Sequence, residues 1–283
     1  MEHAGRGATV QDLGRPGWWS AGVGVSGAAD RASLRLANRL VGNPEAAAGL
    51  EILLGGVAVR TLRRTTLAVT GAPAPVTVDA TPVGHNSVLE LGPGVTVRIG
   101  VASAGLRVYL GVRGGVAAPR TLGSAGRDTL SDLGCPPIQA GDVLAAGPIP
   151  TALPLVQVAP VPAITDGPRV IEAVRGPRDD WFADAGLLFT GAWQVSSEAD
   201  RVGVRLDRAA GPPLRRLPRG ELPPEGMALG AVQIPPDGRP VVFLADHPIT
   251  GGYPVIGVVL DADVDRVAQA RPGSLIRFLE QSV

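Results

Sequence analysis

Between residues 233 and 254 the chain reads Gln233-Ile-Pro-Pro-Asp-Gly-Arg-Pro-Val-Val-Phe-Leu-Ala-Asp-His-Pro-Ile-Thr-Gly-Gly-Tyr-Pro254. A short apolar strand, Val241 to Leu244, sits between two Pro/Gly turns and runs directly into Asp246, His247, Thr250, Gly251, Gly252 and Tyr253. Polar groups on a loop at the end of a buried strand are a common build for a binding site. The spacing supplies a carboxylate, an imidazole and two hydroxyls within eight residues. Gly251-Gly252 is expected to take positive φ and to bring backbone N–H groups close to a ligand. Gln233, at the outlet of the preceding strand, offers an amide donor and an amide acceptor to a planar N–C=O group. The plainer reading is two hairpin turns with ordinary turn residues, in which His247 is a hydrogen-bonded loop side chain.

Two further clusters carry candidate chemistry. Gln11, Asp12 and Arg15 follow a possible first strand, with Trp18-Trp19 just beyond. A carboxylate and a guanidinium so close can pair with each other, the reading preferred for Asp12 and Arg15, or bind a polar ligand. The two tryptophans suit a cover over a ligand or partner, or one core residue and one lid. Asp200-Arg201 precedes the alternation Val202, Val204, Leu206, which predicts a strand with the charged pair at its start. The Arg201 fork suits a carboxylate or phosphate; the alternative is a surface ion pair with Glu198 or Asp200, worth little. Glu51, flanked by apolar residues, is expected to be partly buried and to need a partner such as an arginine. Asp246 and Arg201 are the candidate catalytic residues. Gln233, His247, Thr250, Gly251, Gly252, Tyr253, Asp12 and Arg15 are the candidate substrate-binding set.

Composition excludes several mechanisms. The 26 basic residues balance 26 acidic ones, so no electrostatic footprint points to nucleic acid. All the basic residues are arginine. A lysine Schiff base, a P-loop lysine and a lysine-borne biotin or lipoyl group are therefore impossible on this chain. With only His3, His85 and His247 and a single cysteine, no metal site is expected. His3 falls in a terminus expected to fray, and His85 in a turn expected to face solvent. Cys135 rules out an intrachain disulfide and reads as a buried, inert thiol. No apolar run is long enough to span a bilayer, and no signal-peptide pattern opens the chain, so a cytoplasmic location is expected.

The elements that must position these residues are mostly strands. The 39 glycines and 27 prolines punctuate short β-branched runs: Leu67 to Thr70, Val76 to Val78, Ser87 to Leu91, Val95 to Val101 and Leu106 to Val112. Such spacing reads as an all-β barrel or sandwich. Asp30 is placed to cap a helix ending near Leu40, with Gly42 as its stop. Short helices are also expected from Asn43-Pro44, over 178–188, and from an Asp263 cap. Six prolines between 148 and 168 mark a connector at 151–168. This divides the chain into an N-terminal β lobe, 1–150, and a C-terminal lobe, 169–283.

The chain resembles the biotin-dependent carboxyltransferase-like family, which includes allophanate hydrolase subunit 2, the carboxyltransferase half of urea carboxylase and the C-type subunit of 5-oxoprolinase. The resemblance rests on ordered motifs: Thr9-Val-Gln-Asp-Leu-Gly-Arg-Pro-Gly17, Gly22 to Asp30, Ala37 to Asn43, Leu50-Glu51, Tyr109 to Gly115, Ser196 to Leu206, the 233–254 segment and Arg271-Pro-Gly273. It spans roughly residues 9 to 280. It implies a mainly β fold of two barrel-like, cyclophilin-like lobes meeting at a cleft, with a few short helices. It also implies one part of a hetero-oligomeric enzyme whose partner is a B-type subunit, homologous to allophanate hydrolase subunit 1.

The first expectation is the C-type subunit of an ATP-dependent 5-oxoprolinase, using ATP together with the partner. The second is a carboxyltransferase that moves a carboxyl group to urea or a related amide from biotin carried on another protein. A third is a non-catalytic antagonist of a kinase inhibitor; prolyl isomerase activity has little in its favour. The substrates of the two enzymes, and biotin itself, share the planar amide that Gln233 suits. Two departures point to a changed substrate: Pro73 stands where relatives often carry an aspartate, and Ile249-Thr250 where they often carry two threonines. The chain is also short before the Thr9 motif, which leaves less length for a first strand.

Overall fold

The computed structural model describes residues 1–154 and 156–282; residue 155, inside the expected connector, and residue 283, the last of the expected C-terminal lobe, lie outside these. The chain is mainly β, as expected, with three short α-helices among the described residues. It forms two compact units. The first comprises Met1–Arg15, Ser26–Asp128 and Asp132–Thr165; the second comprises Pro16–Val25, Thr129–Ser131 and Asp166–Val283.

The first unit has two five-stranded antiparallel sheets. One runs His3–Ala4, Gly55–Arg60, Thr96–Val101, Val76–Val78, Thr81–Val83; the other runs Ala8–Gln11, Gly49–Leu53, Arg107–Val112, Thr65–Gly71, Val88–Leu91. Side chains alternate across a strand, so each sheet turns one apolar row inward. Val10, Leu50, Ile52, Val69 and Leu110 from one sheet join Val57, Val76, Val97 and Ile99 from the other in a single core. His3 is part of a strand paired with Val57 and Ala58, and its Nδ1 lies 2.8 Å from the Gly56 carbonyl, so the expected fraying does not occur. His85 is half-buried rather than solvent-facing.

Helix α1 (Arg31–Leu40) starts and stops as its sequence dictates. Asp30 accepts from the Ser33 N–H at 2.9 Å and the Ser33 hydroxyl at 2.6 Å, and Gly42 takes φ +71° just past the end. The helix lies close to the sheet because Gly111 has no side chain: a Cβ there would come within 2.9 Å of the Ala37 carbonyl. The expected Asn43-Pro44 helix is a single turn, closed by the Ala47 N–H on the Pro44 carbonyl. Asn43 instead donates to the Val112 carbonyl at 2.7 Å, which fixes it outside a helix.

In the second unit seven strands close a barrel in the order Arg169–Arg175, Val255–Val259, Ala231–Gln233, Val241–Phe243, Gly203–Ala210, Ala192–Val195, Leu275–Glu280. Parallel pairing of Arg169–Arg175 with Leu275–Glu280 completes the ring. Ile171, Ala173, Trp193, Val195, Val204, Leu206, Ile276 and Phe278 are buried at alternate positions. The helix expected over 178–188 is broken into a 3₁₀ turn at Asp179–Trp181 and α2 (Leu187–Thr190). Phe182 is extended and bridges to Arg216, and the Asp184 carboxylate holds the Gly186 N–H at 2.9 Å, so the chain leaves the helical path between them. Helix α3 (Asp261–Ala268) begins before Asp263, which therefore is not its cap. The Asp263 carboxylate accepts from the Glu172 N–H at 2.6 Å and pairs with Arg266 at 2.7 Å. No helix is long and apolar enough to cross a membrane among the described residues.

Candidate functional site

The candidate residues fall into two polar centres, one in each unit. In the second unit the strand Val241–Phe243 delivers the chain to Asp246, whose side chain is fully buried. Arg201 grips this carboxylate with a two-pronged fork, Nε to Oδ2 at 2.9 Å and Nη2 to Oδ1 at 3.0 Å. Thr129 adds its N–H at 2.9 Å and its hydroxyl at 2.7 Å, both to Oδ2. The Asp246 N–H in turn donates to the Arg201 carbonyl at 3.0 Å. Arg201 thus pairs with Asp246, 45 residues away, and neither surface pairing considered above forms its main contact. Asp200 turns back on its own chain and accepts from the Val202 and Gly203 N–H groups. These contacts make the Asp246–Arg201 pair a rigid brace for the loop that follows.

His247 is buried and stacks on Phe243, with ring centroids 6.1 Å apart. Its Nδ1 lies 2.8 Å from the Pro248 carbonyl. A carbonyl oxygen only accepts, so Nδ1 is the donor in this contact. Thr250–Gly251 forms a short strand with Glu225–Gly226. Arg178 secures that strand by donating from Nε to both oxygens of Glu225, at 3.0 and 3.1 Å. Hydrogen bonding from Arg178 holds the Glu225 carboxyl below its ordinary value. Neither Gly251 nor Gly252 takes positive φ, contrary to expectation. The requirement at Gly251 is space: a Cβ there would sit 2.6 Å from Gln233 Nε2 and 3.2 Å from Met227 Sδ.

Gln233 is buried at the end of the Ala231–Gln233 strand. Its Nε2 donates to the Tyr253 carbonyl at 3.2 Å and approaches Met227 Sδ at 3.7 Å. Nothing among the described residues donates to its Oε1. The side chain therefore presents an acceptor, and its donor half is spent on the protein. Thr250 and Tyr253, on the loop whose Tyr253 carbonyl it bonds, are exposed. The Pro16–Val25 segment belongs to this unit, and an added Cβ at Gly24 would lie 3.5 Å from the His247 carbonyl. Trp18 and Trp19 are both exposed there, so neither is a core residue.

In the first unit Asp12 and Arg15 do not pair with each other. Asp12 accepts from the Ser124 hydroxyl at 2.5 Å, the Ala125 N–H at 2.9 Å and the Gly14 N–H at 2.8 Å. Arg15 is fully buried, donates to the Gly126 carbonyl and lies 3.6 Å from Asp128. Gln11 donates to the Arg127 carbonyl at 2.8 Å. The motif from Thr9 to Gly17 thus clasps residues 124–128. Glu51 has the arginine expected of it, Arg107 Nε at 3.3 Å, together with the Tyr109 hydroxyl at 2.6 Å and the Ala29 N–H at 2.9 Å. Tyr109 stands opposite Glu51 in the strand register and accepts from the Asp30 N–H at 2.8 Å. Burial first, then the Glu51 and Asp30 charges, pushes the Tyr109 phenol well above its ordinary value.

Thr129, Met227, Arg178 and Glu225 were absent from the sequence-based set. No local pattern marks Thr129, which meets Asp246 across 117 residues. No cluster of three or more His, Cys, Asp or Glu side chains is placed to hold a metal ion among the described residues. Cys135 is half-buried, with Sγ 3.9 Å from the Pro119 carbonyl.

Comparison with known proteins places this geometry. The family model of the carboxyltransferase domain, subdomains A and B, matches residues 21–280. The C-type subunit of the Escherichia coli 5-oxoprolinase is 34% identical over 285 residues, covering 99% of this chain and 90% of the relative. That of Haemophilus influenzae is 33% identical over 278 residues, covering 96% and 87%. The crystal structure of the K. lactis urea amidolyase superposes with a TM-score of 0.91 at 30% identity, over 99% of this chain but 18% of the amidolyase chain.

Proposed function

We propose, since the chain belongs to the carboxyltransferase domain family of subdomains A and B, that it is the C-type subunit of an ATP-dependent 5-oxoprolinase. In this reading it works with a B-type partner to prepare 5-oxoproline for hydrolysis to glutamate. The observation that carries the reading is the end-to-end match with C-type relatives, 87–90% of whose length the chain covers. The amidolyase, by contrast, is matched over 18% of its length.

The chain's residues fit a limited share of that chemistry. A lactam ring has an N–H to donate, and the buried Gln233 Oε1 is an unfilled acceptor. The Arg201–Asp246–Thr129 brace fixes the loop carrying His247, whose Nδ1 is tied to the Pro248 carbonyl. Asp246 and Arg201 act as positioning residues here, because the carboxylate is occupied by four donors. ATP would supply the phosphoryl group that activates the ring amide, and with no lysine this chain cannot form a P-loop around it. Biotin likewise has no lysine to be attached to here. In this reading both groups would be supplied by partner polypeptides.

A second reading is supported by the TM-score of 0.91 with the urea amidolyase. The chain would then transfer a carboxyl group from biotin on a separate carrier to urea or a related amide. Gln233→Ala separates a binding role from a structural one. Loss of one hydrogen bond should raise KM for 5-oxoproline about three- to tenfold with little change in kcat. Unchanged KM and affinity would remove Gln233 from the site.

A further inference from the structure

At the open end of the hairpin formed by Ala192–Val195 and Gly203–Ala210, the barrel unit has a cavity of about 400 Å³. Phe189, Gly191, Arg208, Gly211 and Arg277 are among its walls. The cavity is cationic: two arginines face it and no acidic residue lines it. Arg208 is held rigidly. Its guanidinium lies 4.5 Å from the centroid of the Trp193 ring, and its Nη1 donates to the Leu187 carbonyl at 2.8 Å. Gly191 and Gly211 leave room for it, since a Cβ at either would come within 2.7 Å of the guanidinium. No carboxylate pairs with Arg208 or Arg277 among the described residues. The buried Arg208 Nε has no hydrogen-bond partner there either. Burial alone lowers the Arg208 pKa from its ordinary value, as expected for a cation with no counter-charge nearby.

An uncompensated, immobilised guanidinium beside a second arginine is built for an oxyanion. We propose that this cavity binds the carboxylate or phosphoryl group of a small molecule. Its volume lies within the range of small-molecule pockets. It is not continuous with the Arg201–Asp246 brace. Gly203, which donates to Asp200 beside that brace, and Arg208 are five residues apart on one strand, about 17 Å at the usual rise. Neither Gln233 nor any residue of the 246–253 loop lines the cavity, so a ligand here would be a separate occupant of the barrel unit.

The test is isothermal titration calorimetry of the full chain with inorganic phosphate and, in a separate arm, acetate, with chloride at matched ionic strength as the control. Saturable binding of phosphate, acetate or both, absent with chloride, is expected, and the tighter arm identifies the group preferred. Arg277 is exposed on its strand, so Arg277→Gln should leave the melting temperature unchanged while weakening binding about tenfold. Arg208→Lys should weaken it as well by removing the planar fork. Binding of neither oxyanion, or equal affinity in a folded Arg277→Gln protein, would overturn the proposal.

Discussion

Asp246 is held by protein donors at both oxygens, which suits a brace. Its carboxylate has no exposed surface and is filled by Arg201 and Thr129. Asp246→Asn removes the charge facing a largely buried arginine, and such losses typically cost about 3 to 5 kcal/mol. A matching drop in the urea midpoint and loss of activity are expected; full stability in Asp246→Asn would show the pair to be ornamental. Tyr109 and His85 predict the pH response. The Tyr109 phenol is raised in the fold, so its contribution is complete below its ordinary value of 10.0 and is lost as pH climbs above it. Alkaline unfolding should therefore become less steep in Tyr109→Phe. His85 is lowered by burial, so the fold binds fewer protons there than the unfolded chain. Stability should fall as pH drops below 6.5, and His85→Gln should lessen that fall in denaturant titrations at pH 7.5 and 5.5. At this scale the sequence was informative wherever chemistry is local. Glu51, alone among apolar neighbours, announced its need for a partner. Apart from the Gly14 N–H on Asp12, the partners of Asp12 and Arg15 lie more than 100 residues on, and nothing near them in the chain names those residues.

The strands were legible because alternation and Gly/Pro punctuation are local signals, and the structure has Thr65–Gly71, Val76–Val78, Val88–Leu91, Thr96–Val101 and Arg107–Val112 where these runs occur. Helix α1 was legible for the same reason, since Asp30 and Gly42 mark its two ends. The 178–188 segment failed because its apolar pattern is shared between a 3₁₀ turn and a short helix, and the bridge from Phe182 to Arg216 outweighs local propensity. Gly251-Gly252 was read for conformational freedom, whereas the fold uses Gly251 for room beside Gln233. Gly251→Ala tests that difference. Its Cβ must displace the Gln233 amide, so KM for the amide substrate should rise about tenfold while the melting temperature moves little. Gly252→Ala, whose Cβ would meet only the Leu222 carbonyl at 3.5 Å, should behave like the parent protein. Equal effects at both glycines would contradict the spatial account.

For the whole molecule, the two units have distinct constructions: one pairs two open sheets on a shared core, and the other closes a seven-stranded barrel. Which residues join which unit was hidden in the sequence, because Pro16–Val25 and Thr129–Ser131 cluster with the barrel unit despite lying far from it along the chain. Composition was more direct. A chain without lysine can supply shape, arginine forks and amide acceptors, but neither a lysine-borne biotin nor a P-loop lysine. The proposed function calls for an assembly, and the decisive measurement is ATP turnover by this chain mixed with a candidate B-type partner and a separate component that hydrolyses the activated ring, with 5-oxoproline or urea as separate substrates. ATP hydrolysis that needs both this chain and 5-oxoproline, with glutamate formed in equal amount, is the predicted result. Carboxylation of urea that depends on a biotin carrier, with no response to 5-oxoproline in a stable complex, would contradict it.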